Sequence, residues 1–296
     1  IAPELAAQVN YLQAVSASHM NIDDPYRPRI YYQMHSLNED AMAKTVKSEE
    51  KACIMARHTI KQIVRVYPSG IRIASSNYLP IFCWMVGCQM AALNFQTNGL
   101  PVLLNQALFA DNGMCGYVLK PKCLRQASID YNPYAKQIPE VVPESLHVTV
   151  ISGQFLSMLT TSGSHLVTVD LYDLPHDTIR NKYATRVVTR NGMNPVYYQN
   201  SDDQAFVFEK IIKPEGAFLI LRVLDAESGV ELAHRILPVH KMNRGYRHVE
   251  LRSAANRPLG PASIFCYFKP EFYVLSTQKD LQLSLMDPVR GAQRRD

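Results

Sequence analysis

The six cysteines (Cys53, Cys83, Cys88, Cys115, Cys123 and Cys266) include no CxxC pair, and no histidine stands at zinc-ligand spacing from them. That removes the usual structural zinc signatures and the dithiol redox motif. With no secretory signal in the sequence, they are expected to be reduced thiols of a cytoplasmic protein, mostly filling cores. An initiator methionine is also missing. The chain begins "IAPELAAQVN", as expected of a fragment or a processed chain. Between Ile73 and Ala110 there is no Asp, Glu, Lys or Arg. The apolar part of that stretch, "LPIFCWMVGCQMAAL", is nevertheless shorter than the ~18–20 residues of a membrane span. Asn77, Gln89, Asn94, Gln96 and Asn98 interrupt or flank it, so a protein core is the expected setting. Charge of one sign is not extreme either. The net charge of +5 and pI near 8.8 suit an anionic membrane surface or nucleic acid and require neither.

What is present has two textures. With 296 residues, 47% hydrophobic and 19% charged, the chain has room for two ordinary globular domains. Up to about Arg125 apolar strand-like runs alternate with helical segments. "VNYLQAV" (9–15) and "RIYYQMHSL" (29–37) read as strands. "NEDAMAKTVKSEEKACIMARHTIKQI" (38–63) reads as one helix capped by Asn38 or Asp40. "IVRVYP" and "QMAALNFQT" (89–97) follow around an apolar segment at Trp84. Strands separated by helical crossovers predict a parallel sheet. Four such strands make half of a (β/α)8 barrel of the TIM type, with open edges. Residues 126–144 carry three prolines and little periodicity, as expected of a linker. From residue 145 to 272 eight short strands succeed one another with turn residues between them, predicting an antiparallel β-sandwich. Residues 273–296 end in "RGAQRRD" and read as a flexible tail.

One stretch asks for more than a structural account. In "IVRVYPSGIRIASSNYLP" (63–80), Arg65 and Tyr67 fall at i, i+2 on a strand and therefore share a face. By spacing alone, a salt bridge at the sheet rim explains Arg65, and Tyr67 is an ordinary rim aromatic. Ser36 alone carries no signal. None of the nine histidines sits in a recognisable catalytic pattern. His35 and His58 are expected at the rim or in the core of the first part, and His147, His165, His176, His234, His240 and His248 fall in the sandwich.

The combination "SSNYLPIFCWMVGCQMAALNFQT", "NGMCGYVLKP", a linker and "VTVISGQ", with "GYRHVELRS" later, resembles eukaryotic phosphoinositide-specific phospholipase C. The likeness is to the second (Y) half of that family's catalytic barrel followed by its C2 domain, from about Glu4 to Phe272. "DLPHDTIRNKYATRVVTRNGMNPVY" looks most like the beta class, while "IAPEL…YLQAV" and "GYVLKP" also fit the epsilon class. The resemblance implies that Ser36 and Arg65 contact the inositol 4- and 5-phosphates and that Tyr67 lies against the inositol ring. The chemistry agrees, since a guanidinium binds phosphate oxygens with two parallel charge-assisted bonds and an aromatic face packs on the ring's C–H side. Ile71 stands where the family places an apolar rim residue that dips into the bilayer, with Met42 expected on the same ridge. Arg72 and Ser75-Ser76-Asn77 are family hallmarks for which a turn-forming role is expected. Ala74 departs from the family's usual Asp.

The resemblance also implies a division of labour. Two catalytic histidines and the ligands of a catalytic Ca2+ belong to the family's X half, which these residues do not contain. In the complete enzyme a base takes the proton of the inositol 2-OH, Ca2+ acidifies that hydroxyl, and a histidine protonates the diacylglycerol oxygen. Phosphatidylinositol 4,5-bisphosphate, a membrane surface, the X half, and heterotrimeric or small G proteins are the implied partners, with peripheral membrane association and no nucleic acid. In the sandwich, "FLSMLTTSGSHLVTVD" has no Asp before its strand and "LDAESGVELAH" offers only Asp225 and Glu227. Ca2+ wants six to eight hard oxygens, so no tight Ca2+ site is expected there. A catalytically silent, phosphoinositide-binding scaffold of the same family is the competing reading, and a plain membrane-tethering C2 module is a weaker third.

Overall fold

The computed structural model describes residues 2–9, 12–16, 30–159, 163–174, 182–198 and 205–273. After a single turn of helix (α1, Pro3–Ala6), four parallel strands lie side by side in chain order: β1 (Gln13–Val15), β2 (Gln33–Asn38), β3 (Ile63–Tyr67) and β4 (Met90–Ala91). The expected single helix over 38–63 is two, α2 (Glu39–Val46) and α3 (Glu49–Lys61). Asn38 caps the first, its Oδ1 accepting from the Ala41 N–H at 2.8 Å. Ser48 leaves helical geometry (φ −102°, ψ 121°) and caps the second through Oγ, at 3.5 Å from the Lys51 N–H. Both helices cover one face of the sheet. Val64 and Val66 of β3 are fully buried against Met42, Val46, Met55 and Ala56.

Met42 thereby departs from the rim position expected of it. It is 2% exposed, because Met42 and Val46 at i, i+4 form the inward stripe of α2. In the 73–110 stretch the strand expected over 89–97 is the short β4, the apolar segment around Trp84 is α4 (Ile81–Met85), and an unforeseen helix, α5 (Leu100–Ala110), follows. None of the helices among the described residues is long and apolar enough to cross a membrane. Gly87, between α4 and β4, has φ +77°, and a Cβ there would meet Thr59 Oγ1 at 2.5 Å, so only glycine fits this turn.

Eight antiparallel strands follow: β5 (Glu144–Gln154), β6 (His165–Tyr172), β7 (Lys182–Ala184), β8 (Phe206–Ile211), β9 (Phe218–Asp225), β10 (Glu231–Pro238), β11 (Gly245–Arg252) and β12 (Pro258–Phe272). All eight expected strand segments are represented. They run in one ladder, β7-β6-β9-β10-β11-β12-β5-β8. The β10–β11 seam holds by a single residue pair, His234 with Arg252. There the ladder folds over into two layers around a core that includes Val148, Val169, Phe208, Leu221 and Ile264. Its ends nearly close. Tyr183 of β7 stacks on Phe206 of β8 at 5.0 Å and donates to the Val207 carbonyl at 2.5 Å.

The two units share a small apolar junction of Ile81 and Leu104 against Phe218 and Ile220, with Trp84 6.1 Å from the Phe218 ring. Helix α5 is thus sandwiched between them, which is why it is apolar with little periodicity. The 126–144 segment is irregular, as its prolines demand, yet it is a packed strap and not a free spacer. Ile129, Tyr131 and Ile138 are buried in the core of the first unit, and Tyr131 donates to the Met85 carbonyl at 2.7 Å. The expected flexible tail lies outside the described residues from 274 onward, as do His176 and part of the first sandwich loop.

Candidate functional site

Alternation along β3 divides the first sheet into two chemical faces. Val64 and Val66 point to the helices, which leaves Arg65 and Tyr67 on the other face. The parallel register sets Ser36 of β2 beside Arg65 and Asn38 beside Tyr67. Ser36, Arg65 and Tyr67, separated by up to 31 positions in the chain, are therefore neighbours on one polar face at the C-terminal ends of two strands. The Arg65 guanidinium carbon lies 5.4 Å from the Tyr67 ring centroid, a cation–π distance. Among the described residues no carboxylate lies within ion-pair distance of Arg65. The rim salt bridge that spacing alone allowed is not how this side chain is held. Tyr67 is 37% exposed, so the ring and the cation beside it are open to a ligand.

The loop after β3 is pinned at several points. Arg72 grips Glu39 through both nitrogens of its fork, Nε to Oε1 at 2.5 Å and a terminal nitrogen to Oε2 at 2.7 Å. Glu39 Oε1 also accepts the Ser69 N–H at 2.6 Å, and Arg72 donates to Ser76 Oγ at 2.8 Å. The Arg72 bond and the Ser69 N–H hold the Glu39 carboxyl below its ordinary range against the opposing effect of burial, and Glu39 in turn raises the Arg72 guanidinium. Asn77 and Asn94 close the far end: the Asn77 side chain accepts the Asn94 N–H at 2.6 Å and donates to its carbonyl at 3.0 Å. The turn-forming role expected of Arg72, Ser76 and Asn77 is what they perform. This frame presents Ile71 and Ile73 almost bare to solvent, at 82% and 95% exposure. Ile73, Glu39 and Asn94 were not singled out from sequence. Glu39 follows a strand directly and Asn94 lies 17 residues from its partner, and neither position carries a local signal.

Other reactive groups lie elsewhere. His35 and His58 are each 3% exposed with rings 5.4 Å apart, on the helix side of the sheet. Burial pushes the Cys83 thiol up to about 12 and Cys88 well above its usual range, so neither is a nucleophile. Lys120 is pulled down to about 8 by burial and donates to the Thr59 and Gly87 carbonyls, at the opposite end of β3 from Tyr67. In the sandwich, Asp225 Oδ1 is taken by its own turn, accepting from Glu227 N, Ser228 N and Ser228 Oγ. Among the described residues no three His, Cys, Asp or Glu side chains converge to hold a metal ion.

Residues 5–123 match the family model "Phosphatidylinositol-specific phospholipase C, Y domain". Residues 5–123 are a Y domain of the phosphatidylinositol-specific phospholipase C family. It is 39% identical over 289 residues to human 1-phosphatidylinositol 4,5-bisphosphate phosphodiesterase beta-4, covering 97% of this chain and 24% of that protein. A Drosophila melanogaster 1-phosphatidylinositol 4,5-bisphosphate phosphodiesterase is likewise 39% identical, over 97% of this chain and 25% of its own. Among solved structures, L. pealei PLC21 superposes with a TM-score of 0.82 at 36% identity, covering 93% of this chain and 34% of that one. The chain thus spans about a quarter of the length of the curated relatives it matches.

Proposed function

We propose that this chain is the headgroup-binding and membrane-facing part of a phosphoinositide phospholipase C acting on phosphatidylinositol 4,5-bisphosphate in intracellular signalling. The observation that carries the reading is Arg65: a cation over an aromatic ring, on an open polar face, with no carboxylate partner among the described residues. An unpaired guanidinium beside a hydroxyl and a ring face suits a phosphorylated polyol. In this reading Arg65 and Ser36 bind the inositol 4- and 5-phosphates, and Tyr67 lies against the ring. The braced loop holds Ile71, together with Ile73, toward the bilayer while the headgroup enters the face beside it. The parallel sheet is half of a TIM-type (β/α)8 barrel whose X half pairs with its open edges, and the eight-stranded unit is a C2 domain.

This chain's described residues position substrate and offer no acid, base or metal-ligand set for the phosphodiester. Those groups, including the ligands of Ca2+, are proposed to come from the X half, with heterotrimeric or small G proteins as activating partners. The test is hydrolysis by the enzyme containing both halves. Arg65→Ala is expected to impair turnover of the bisphosphate far more than turnover of unphosphorylated phosphatidylinositol. Equal losses on the two lipids would make Arg65 a structural residue and overturn the assignment. Headgroup binding with no hydrolysis of either lipid by that enzyme would favour the silent scaffold.

A further inference from the structure

A second cavity, of about 480 Å3, lies between α5 and the β10–β11 seam, and the headgroup reading makes no use of it. It opens where the ladder is weakest, since a single residue pair joins those two strands. The wall from α5 is mostly apolar, formed by Leu103, Ala107 and Ala110 with Gln106 among them. The opposite wall carries Arg235, Lys241 and Arg252. The carboxylate lining the cavity, Asp111, is engaged by Lys241 at 2.7 Å and by His240 at 3.2 Å.

The two arginines have no such counter-ion: among the described residues neither lies within ion-pair distance of a carboxylate. Burial and then the Arg252 charge weaken proton binding by Arg235, with Glu250 acting the other way. Arg252 is held in place by donating to the Asn256 carbonyl at 2.8 Å, and Asn256 in turn donates to Gln106 of α5 at 2.7 Å. Two neighbouring, partly buried guanidiniums with no carboxylate within ion-pair distance repel each other, and a ligand with several negative oxygens relieves that. The volume falls within the range of small-molecule sites.

We propose that this cavity binds a polyphosphorylated small molecule, with Arg235 and Arg252 gripping its phosphates and Lys241 as a third cation. The ligand is a free inositol polyphosphate or the headgroup of a phosphoinositide, which present the same chemistry. None of the residues lining the cavity belongs to the Ser36, Arg65 and Tyr67 face. The cavity is separate from the headgroup face and its occupancy does not depend on that reading.

Calorimetric titration of the Arg65→Ala protein with inositol hexakisphosphate, and its sedimentation with phosphatidylcholine vesicles containing phosphatidylinositol 4,5-bisphosphate, test the proposal. The Arg65→Ala background weakens the first face in both measurements. Adding Arg235→Gln and Arg252→Gln is expected to weaken one of the two interactions at least about tenfold, as for lost charge-assisted contacts. The arm that responds names the source. The same double change is expected to leave the unliganded unfolding midpoint unchanged or raised, because it removes a repulsion. If the double variant does not fold, the single variants replace it, each expected to weaken binding at least about threefold. No binding in either arm, or unchanged affinity in the variants, overturns the proposal.

Discussion

The parallel sheet and the antiparallel sandwich treat their charges in opposite ways. On the first sheet one face is closed by α2 and α3, and the other leaves Arg65 over Tyr67 without a carboxylate among the described residues. In the sandwich both inner faces meet in one apolar core, and the charges at its buried outer face are paired. Arg222 bonds Asp170 and reaches Glu231 at 3.1 Å, while Glu231 holds His234, again at 3.1 Å. A network of paired charges of this kind supports packing, whereas a cation without a carboxylate on an open face suits a ligand. The contrast supports the proposal that recognition lies on the first unit and structural support in the second, with the β10–β11 seam as the sandwich's exception.

The widest separation between the units is expected in stability. Phe208→Ala removes a fully buried ring at the point where the sandwich closes and should cost about 3–5 kcal/mol in denaturant unfolding. Arg65→Ala should leave that unfolding nearly unchanged. A large loss of stability on Arg65→Ala would break the comparison. In binding the order reverses: Arg65→Ala should weaken headgroup affinity by about 1.5–3 kcal/mol, the worth of a charge-assisted contact, and Phe208→Ala should act only through the folded fraction.

Smaller effects sharpen the account of the rim. Glu39→Gln should free the 69–77 loop, seen as faster amide exchange there with the sandwich unaffected, at a cost of about 1–2 kcal/mol. Because the Glu39 carboxyl is held below its ordinary value of 4.5, its stabilising contribution is complete above about pH 4.5. It is lost as the pH falls through the lowered folded value. The stability gap between wild type and Glu39→Gln should therefore close on acidification, and a gap that widened would contradict the assigned ion pair. Least of all, Tyr67→Phe keeps the ring and should change headgroup affinity by less than about 0.5 kcal/mol, whereas Tyr67→Ala should cost more.

Much of this was readable from residue order, and the exceptions have physical reasons. The sandwich strands announce themselves by alternation, as in Leu146, Val148 and Val150 of β5. The pairing of Arg65 with Tyr67 follows from i, i+2 spacing, and Ser36 joins them through strand register that no local pattern reveals. Helix α5 escaped because it is packed between two units and shows no polar stripe. Met42 was misplaced because its burial depends on which face of α2 meets the sheet, a tertiary fact signalled only by Val46 one turn on. The 126–144 strap looks like a linker by its prolines, while the burial of Ile129, Tyr131 and Ile138 needs the partner surface to exist. Glu39 and Arg72 are 33 residues apart, so their fork was invisible to periodicity.

The central claim is that the Arg65 face reads the phosphates of the substrate lipid's headgroup. Its most direct test is the affinity of the protein for inositol 1,4,5-trisphosphate, measured by calorimetry for wild type, Arg65→Ala and the Arg235→Gln, Arg252→Gln pair, with thermal unfolding as the folding control. The account predicts that, at the higher-affinity site, Arg65→Ala weakens binding about tenfold or more with its unfolding midpoint preserved. The arginine pair in the sandwich should leave that site's affinity unchanged. Undiminished binding by a folded Arg65→Ala protein would contradict it.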